Sequence, residues 1–465
     1  MRKSRSEQIF DYAFKFATPF STTLGHPWAI ISEGPLRYGL PVRSESFHEW
    51  LACAFQREYD LWPGCHAMRG AIRIFAAHAS YAELPVTEVF TRVGWRGDRL
   101  HPESVLIHLA NSDNESIEIT PTGHCIANTD SWRFLAAGST APLPRPATSN
   151  ANLVEQLQSL LGLSGAALHR AAIWLFAAMR PTGPYPVLSI TGPPASGKST
   201  LAYILRTLID PSPTPLLSAP SKDRELFALA LHNRVLAFDR VNSMPLAVLD
   251  CIARLAKGTG IGICSRNIFD RPDTLTVERP IILTASAPDR RFTSNAIHIA
   301  LPAMKLENMR LQRSLAQRFE AAAPLILGTL CNAVSSALAN ISSTKAAPVS
   351  RCPDVHQWTL AAAPVLGLST EQINRALAAD PIIGAVQNLL ESRSEWTGTA
   401  TQLIKTLNLP LAPESLSEQL AALPLSLFGL TFERWNRHGK RQIRVAHPHP
   451  VAVTQTMTAA ANSLS

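Results

Sequence analysis

The sequence predicts an α/β chain in three folded parts: an N-terminal α+β region, a core of parallel strands covered by helices, and a winged-helix-like end. Three observations carry that prediction. From Val187 to Thr284, apolar strand-like runs alternate with helical stretches, the pattern of a mostly parallel sheet. Residues 138–150 hold three prolines (Pro142, Pro144 and Pro146) among small residues, the composition of an extended, semi-rigid spacer. Residues 395–448 read as a short strand, two helices and two strands, the element order of a winged helix. These give domains over 1–137, a linker over 138–150, a core over 151–305, a helical lid or bridge over 306–384, and a winged-helix-like domain over 385–465.

In the first part, Pro27–Ser32 and Leu36–Val42 read as strands. Ser44–Tyr59 and Pro63–Tyr81 have helical periodicity, with Phe47, Trp50, Leu51, Ala54 and Phe55 on one face. Val86–Val93, Ser104–Leu109 and Ser116–Thr120 read as further strands. In the core, Asn152–Leu163 and Gly165–Arg180 are helical, and Val187–Thr191 is a buried strand. Leu201–Ile209, Ser221–His232 and Met244–Ala256 follow as helices, interleaved with strands Arg234–Phe238 and Ile281–Thr284. Residues 306–342 are helical and rich in alanine.

Composition bounds the function. With 465 residues, 46% apolar and 17% charged, the chain has material for real cores, which excludes wholesale disorder. No run of 18 apolar residues occurs, so no membrane span or membrane partner is expected. The first twenty residues lack the continuous apolar stretch of a signal peptide. Seven cysteines, at 53, 65, 125, 251, 264, 331 and 352, form no C-x-x-C pair. A reducing cytoplasm, without a disulfide framework or zinc ribbon, is the expected setting. The net charge of +8 is uneven: −1 over residues 1–150, +8 over 151–345 and +1 over 346–465, with five of the last nine basic residues between Arg434 and Arg444. Such patches suit polyphosphate or nucleic acid, and equally a solvated surface.

The chemistry is concentrated in Gly192, Pro193, Pro194, Ala195, Ser196, Gly197, Lys198, Ser199 and Thr200, which match G-x-x-x-x-G-K-[ST] between a strand and a helix. Glycines let backbone N–H groups turn toward phosphates, and a helix N-terminus adds the positive end of its dipole. Lys198 is expected on the β- and γ-phosphates of ATP, and Ser199 on Mg²⁺. The plain alternative is a strand-to-helix turn that binds nothing. Asp239 closes the apolar run Arg234–Phe238 about 40 residues on and is expected to be the second metal-side oxygen donor. Arg240 follows it, so no adjacent carboxylate is available to activate water; Asp223 and Glu225 on the preceding helix are weaker substitutes.

The blocks Arg180–Leu188, Gly192–Thr200, Arg234–Ser243, Ala253–Gly260 and Arg279–Leu283 resemble those of prophage and mobile-element ATP-binding, primase-associated proteins, allied to AAA+ and superfamily three helicases. The resemblance implies an AAA+-like P-loop NTPase core. It also implies a ring-forming homo-oligomer that moves or remodels DNA during replication, with a primase or other replication protein as a further partner. Two positions depart from that pattern. Thr284 stands where the family has a γ-phosphate-sensing Asn, and Asn295 where it has an arginine finger, for which Arg290 and Arg291 are the candidates. The resemblance further implies a DNA-gripping hairpin, with Lys257, Arg266 and Arg271 on phosphates and Phe269 stacking. A solvated loop fits those residues as well.

Near the C-terminus, Arg434, Arg437, Lys440, Arg441 and Arg444 surround one turn, a cation density suited to DNA phosphates or to a charged edge that resists aggregation. Three functions remain in view: an ATP-driven DNA helicase or translocase, a nucleotide-gated initiator or loader with slow turnover, and a P-loop kinase. The basic hairpin disfavours the kinase.

Overall fold

The computed structural model describes residues 3–23, 25–34, 36–81, 86–128, 130–135, 140–241, 244–258, 261–263, 273–275, 277–286, 296–303, 312–346, 350, 352–378, 386, 389–390, 393–407, 416–417, 420–421, 430–437 and 440–446. It is a mixed α/β chain that divides into two compact units, Met1–Ile373 and Asn374–Ser465.

The first unit opens with helix α1 (Arg5–Phe16), started by a capping box in which Ser4 Oγ accepts from Glu7 N–H and the Glu7 carboxylate accepts from Ser4 N–H. Strands β1 (Ala17–Thr22), β2 (Pro27–Glu33) and β3 (Leu36–Pro41) follow, then α2 (Glu45–Tyr59), α3 (Cys65–Tyr81) and the short β4 (Val86–Thr87). The sheet runs β3-β2-β1-β4, antiparallel except for β1 with β4. Ile9, Phe47, Leu51, Phe55 and Phe75 form the core beneath the helices. A four-stranded antiparallel meander comes next: β5 (Val93–Gly97), β6 (Pro102–His108), β7 (Ser116–Thr120) and β8 (Gly123–Ala127). The run expected as one strand over 86–93 is split. Phe90 turns to bridge Phe134, and Arg92 is drawn inward with no exposed surface.

From residue 140 the proline-rich stretch has no regular secondary structure and is bound along its length. Ala141 N–H donates to Pro211 O, Leu143 N–H to Leu109 O and Ala147 N–H to Pro324 O, while the Arg145 guanidinium grips Glu115. Leu143 is buried.

The core begins with α4 (Leu153–Leu161), capped by Asn152 and ended by left-handed Gly162, and α5 (Gly165–Ala178). Then come β9 (Val187–Thr191), α6 (Lys198–Ile209), α7 (Asp223–His232), β10 (Leu236–Phe238), α8 (Leu246–Lys257), the hairpin strands β11 (Ile261–Ile263) and β12 (Asp273–Leu275), β13 (Ile281–Ala285) and β14 (Ala296–Ala300). The main sheet is all parallel in the order β10-β13-β9-β14. Every residue of β9 is buried, as expected for a strand covered on both faces. The long α9 (Gln312–Asn340) packs on α4, α10 (Pro353–Ala361), α11 (Ala363–Leu366) and strands β6–β8. Among the described residues, one apolar helical stretch, Ser314–Ser343, is long enough to cross a membrane, and 61% of its apolar window is buried in protein. No disulfide joins the cysteines among the described residues.

The second unit holds β15 (Glu395–Gly398), a helix at Ala400–Leu407, β16 (Thr431–Arg437) and β17 (Lys440–Ala446), with an antiparallel sheet in the order β15-β17-β16.

Candidate functional site: a glycine-bounded loop, an acid and a threonine

The loop between β9 and α6 owes its shape to two glycines and one strained alanine. Gly192 has φ 151°, and a Cβ there would lie 2.4 Å from Leu301 O and 2.9 Å from Ser196 Oγ. No side chain fits. Ala195 and Gly197 are both left-handed, at φ 59° and 86°. Turns of this alternating kind gather backbone N–H groups into anion-binding concavities. Gly197 is also the N-cap of α6, whose first-turn N–H groups have no intrahelical acceptors. Pro193, Pro194, Ala195 and Thr200 are exposed, whereas Ser196 is buried.

Lys198, the first residue of α6, folds back over the loop. Its ammonium donates to Gly192 O at 2.8 Å, Pro193 O at 2.7 Å and Ser196 Oγ at 3.3 Å. A cation is thus held at the mouth of the loop by acceptors that phosphate oxygens can replace.

The strand order brings the acid to this loop from two positions away in the sheet. β13 separates β10 from β9, and Asp239 follows the end of β10. Ser199 Oγ donates to Asp239 Oδ1 at 2.7 Å. Thr284, on β13 and fully buried, donates its hydroxyl to the same oxygen at 2.5 Å and accepts from Arg240 N–H at 2.9 Å. Thr284, Asp239 and Ser199 therefore form one chain of hydrogen bonds across three elements. The Thr284 hydroxyl is committed to neighbours within the fold. Ser199 Oγ and the Asp239 carboxylate form an all-oxygen donor pair, which suits a hard cation such as Mg²⁺. Among the described residues, no cluster of three or more His, Cys, Asp or Glu offers another metal site.

Other residues singled out from sequence fall elsewhere. Glu225 accepts from Ser221 N–H and Oγ at the start of α7, bonds that hold its carboxyl below the ordinary range. Lys257 is exposed on the last turn of α8, ahead of the antiparallel hairpin β11–β12. Arg266, Phe269, Arg271, Arg290, Arg291 and Asn295 lie outside the described residues. In the second unit, Arg434 and Arg441 are exposed on the hairpin, and Arg437 pairs with Lys440 at its turn end. Arg444 is bound to Glu395, with Nε at 2.9 Å, and lies 3.4 Å from Glu433.

Comparison with known proteins places this site in context. Residues 154–355, under half of the chain but including the loop, Asp239 and Thr284, match the family model "Actinomycete integrative conjugative element replication protein". That match supports a replication protein of a mobile element. No curated protein matches. Among solved structures, the apo structure of the NrS-1 C terminal region (305–718) aligns over 96% of this chain and 100% of its own, at 11% identity and TM-score 0.38. An A form apo structure of the same region aligns over 95% and 99%, at 10% identity and TM-score 0.38. These TM-scores fall below what establishes a common fold.

Two features of the site were not read from sequence: the Thr284–Asp239 bond, which spans 45 positions, and the left-handed backbone of Arg240 at φ 57°.

Proposed function

We propose that the chain is an ATP-binding P-loop NTPase of the AAA+-like kind, an oligomeric ATP-driven DNA helicase or translocase that acts in the cytoplasm during replication of a phage or other mobile element. The observation that carries this reading is the 2.7 Å bond from Ser199 to Asp239, which joins the phosphate-type loop to the acid strand. Loop glycines and the α6 N-terminus supply N–H donors for the phosphates, and Lys198 supplies a fixed cation for charge that develops on them. Mg²⁺, when bound between Ser199 and Asp239, neutralises phosphate charge. The chain's own residues hold the nucleotide, orient its triphosphate and keep Asp239 in place through Thr284.

DNA is the proposed partner of the exposed cations, Arg434 and Arg441 foremost, in a winged-helix-like second unit. Lys257 and the β11–β12 hairpin are the proposed contact within a ring. A slower, nucleotide-gated initiator or loader is the second reading. It is favoured by two facts: Thr284 turns its hydroxyl to Asp239 and Arg240, and a cation rather than a second carboxylate follows Asp239.

Isothermal titration of the full chain with ATP and Mg²⁺ tests the shared premise. Wild type is expected to bind, and Lys198→Ala and Asp239→Asn to bind more weakly, the second only when Mg²⁺ is present. Equal heats for all three proteins would remove the nucleotide site.

A further inference from the structure

We infer that Arg240 is the cation that faces the terminal phosphate of the nucleotide from within the same chain. The inference rests on the nucleotide-binding reading above and adds a residue to it.

Four observations lead there. Arg240 directly follows Asp239, so one carboxylate separates its guanidinium from the Ser199 hydroxyl. Its backbone is left-handed at φ 57°, a region that non-glycine residues seldom occupy. That conformation is held from two sides by Thr284, whose Oγ1 accepts from Arg240 N–H at 2.9 Å and whose carbonyl accepts from Val241 N–H at 2.8 Å. The side chain is 86% exposed, and its Nε stands 3.6 Å from Asp239 Oδ2.

Neither the turn nor the ion pair accounts for an arginine here. Glycine or asparagine would take the same turn with less strain. A pair at that distance whose cation is 86% exposed contributes little to stability. Strained residues of this kind cluster at functional sites, where the surrounding fold holds them in place. What an arginine adds is a planar, permanently charged head group able to bind two phosphate oxygens at once.

In the reaction, a water oxygen bonds to the γ-phosphorus while the bond from that phosphorus to the β–γ bridging oxygen breaks. The electron pair leaves with ADP, and the water proton passes to solvent. Arg240 exchanges no proton; its charge opposes the negative charge gathering on the transferring oxygens.

The test compares full-length wild type with Arg240→Gly and Arg240→Lys. Arg240→Gly is compatible with the left-handed turn and removes the whole side chain, the head group included. Three quantities are measured: affinity for Mg-ADP, the tightening of ADP binding by aluminium fluoride, and phosphate release. Arg240→Gly is expected to melt no earlier than wild type and to bind Mg-ADP equally well. Its release should fall by about 10²–10³-fold, the usual effect of losing one donor aimed at developing charge, and the aluminium fluoride effect should vanish. Arg240→Lys should recover only part of either. Unchanged fluoride tightening or release in Arg240→Gly would overturn the role of Arg240 and leave the nucleotide site standing. Failure of wild type to bind ATP or ADP would overturn both.

Discussion

Asp210 ties three segments together. Its backbone N–H donates to Arg206 O at the C-terminal end of α6, while its carboxylate accepts Arg234 and Val235 N–H groups at 2.8 and 3.0 Å where β10 begins and pairs with Arg92 at 3.2 Å. Arg92 also donates to the carbonyls of His108 and Ala141, and burial pushes its pKa down against the pull of Asp210. Removing one partner of a buried pair strands the other charge, so Asp210→Asn should lower the unfolding free energy by about 3–5 kcal/mol. Urea unfolding checks this, and a loss under about 1 kcal/mol, the range of an exposed pair, would contradict it. Nearby, burial holds the His108 imidazole down at about 4 from an ordinary 6.5. The folded form then binds fewer protons than the unfolded form between those values, so this contribution is full above about pH 6.5 and is lost as pH falls toward about 4. His108→Gln should flatten that part of the urea-midpoint profile. An identical profile for the variant would mean that another group sets it.

Among elements, the strand–loop–helix from Val187 to Ile209 was the most legible from sequence, because its determinants are local: an apolar run, a glycine, then a helix with Leu201, Leu205 and Leu208 on its buried face. Asp239 was legible for the same reason, as the acid that ends an apolar run. Thr284 was read at a phosphate-sensing position; that its hydroxyl is bonded to a residue 45 positions away is something no local pattern reports. Helix α1 also has a local signal in the sequence, the capping-box signature Ser4-Arg5-Ser6-Glu7. Strand β8 carries little apolar alternation because most of it is not buried. For the loop, Gly192→Ala is expected to abolish ATP binding while far-ultraviolet circular dichroism stays unchanged, since the added methyl meets Leu301 O and Ser196. Retained ATP affinity would show that the loop shape is not what holds the phosphates.

On the scale of the whole molecule, the proline-rich stretch fastens the first region to the core. Its Ala147 lies so close to α9 that a Cβ on Gly328 would come 2.0 Å from Ala147 O. The ion pairs Arg92–Asp210 and Arg99–Glu278 add to the ties between the N-terminal sheets and the core of the first unit. In the second unit, Arg434→Ala with Arg441→Ala should weaken DNA binding and reduce the slope of log affinity against log salt by about 2, near one for each lost phosphate contact. Arg444→Ala should do less, because Glu395 and Glu433 already hold that side chain. Unchanged salt dependence in the double variant would direct attention away from the hairpin. The most direct test of the central claim is phosphate release from ATP with Mg²⁺, with and without single-stranded DNA, by wild type and Lys198→Ala. Wild type is expected to release phosphate, faster with DNA, and Lys198→Ala none above background; equal release by the two proteins would rule out the nucleotide chemistry proposed for this loop.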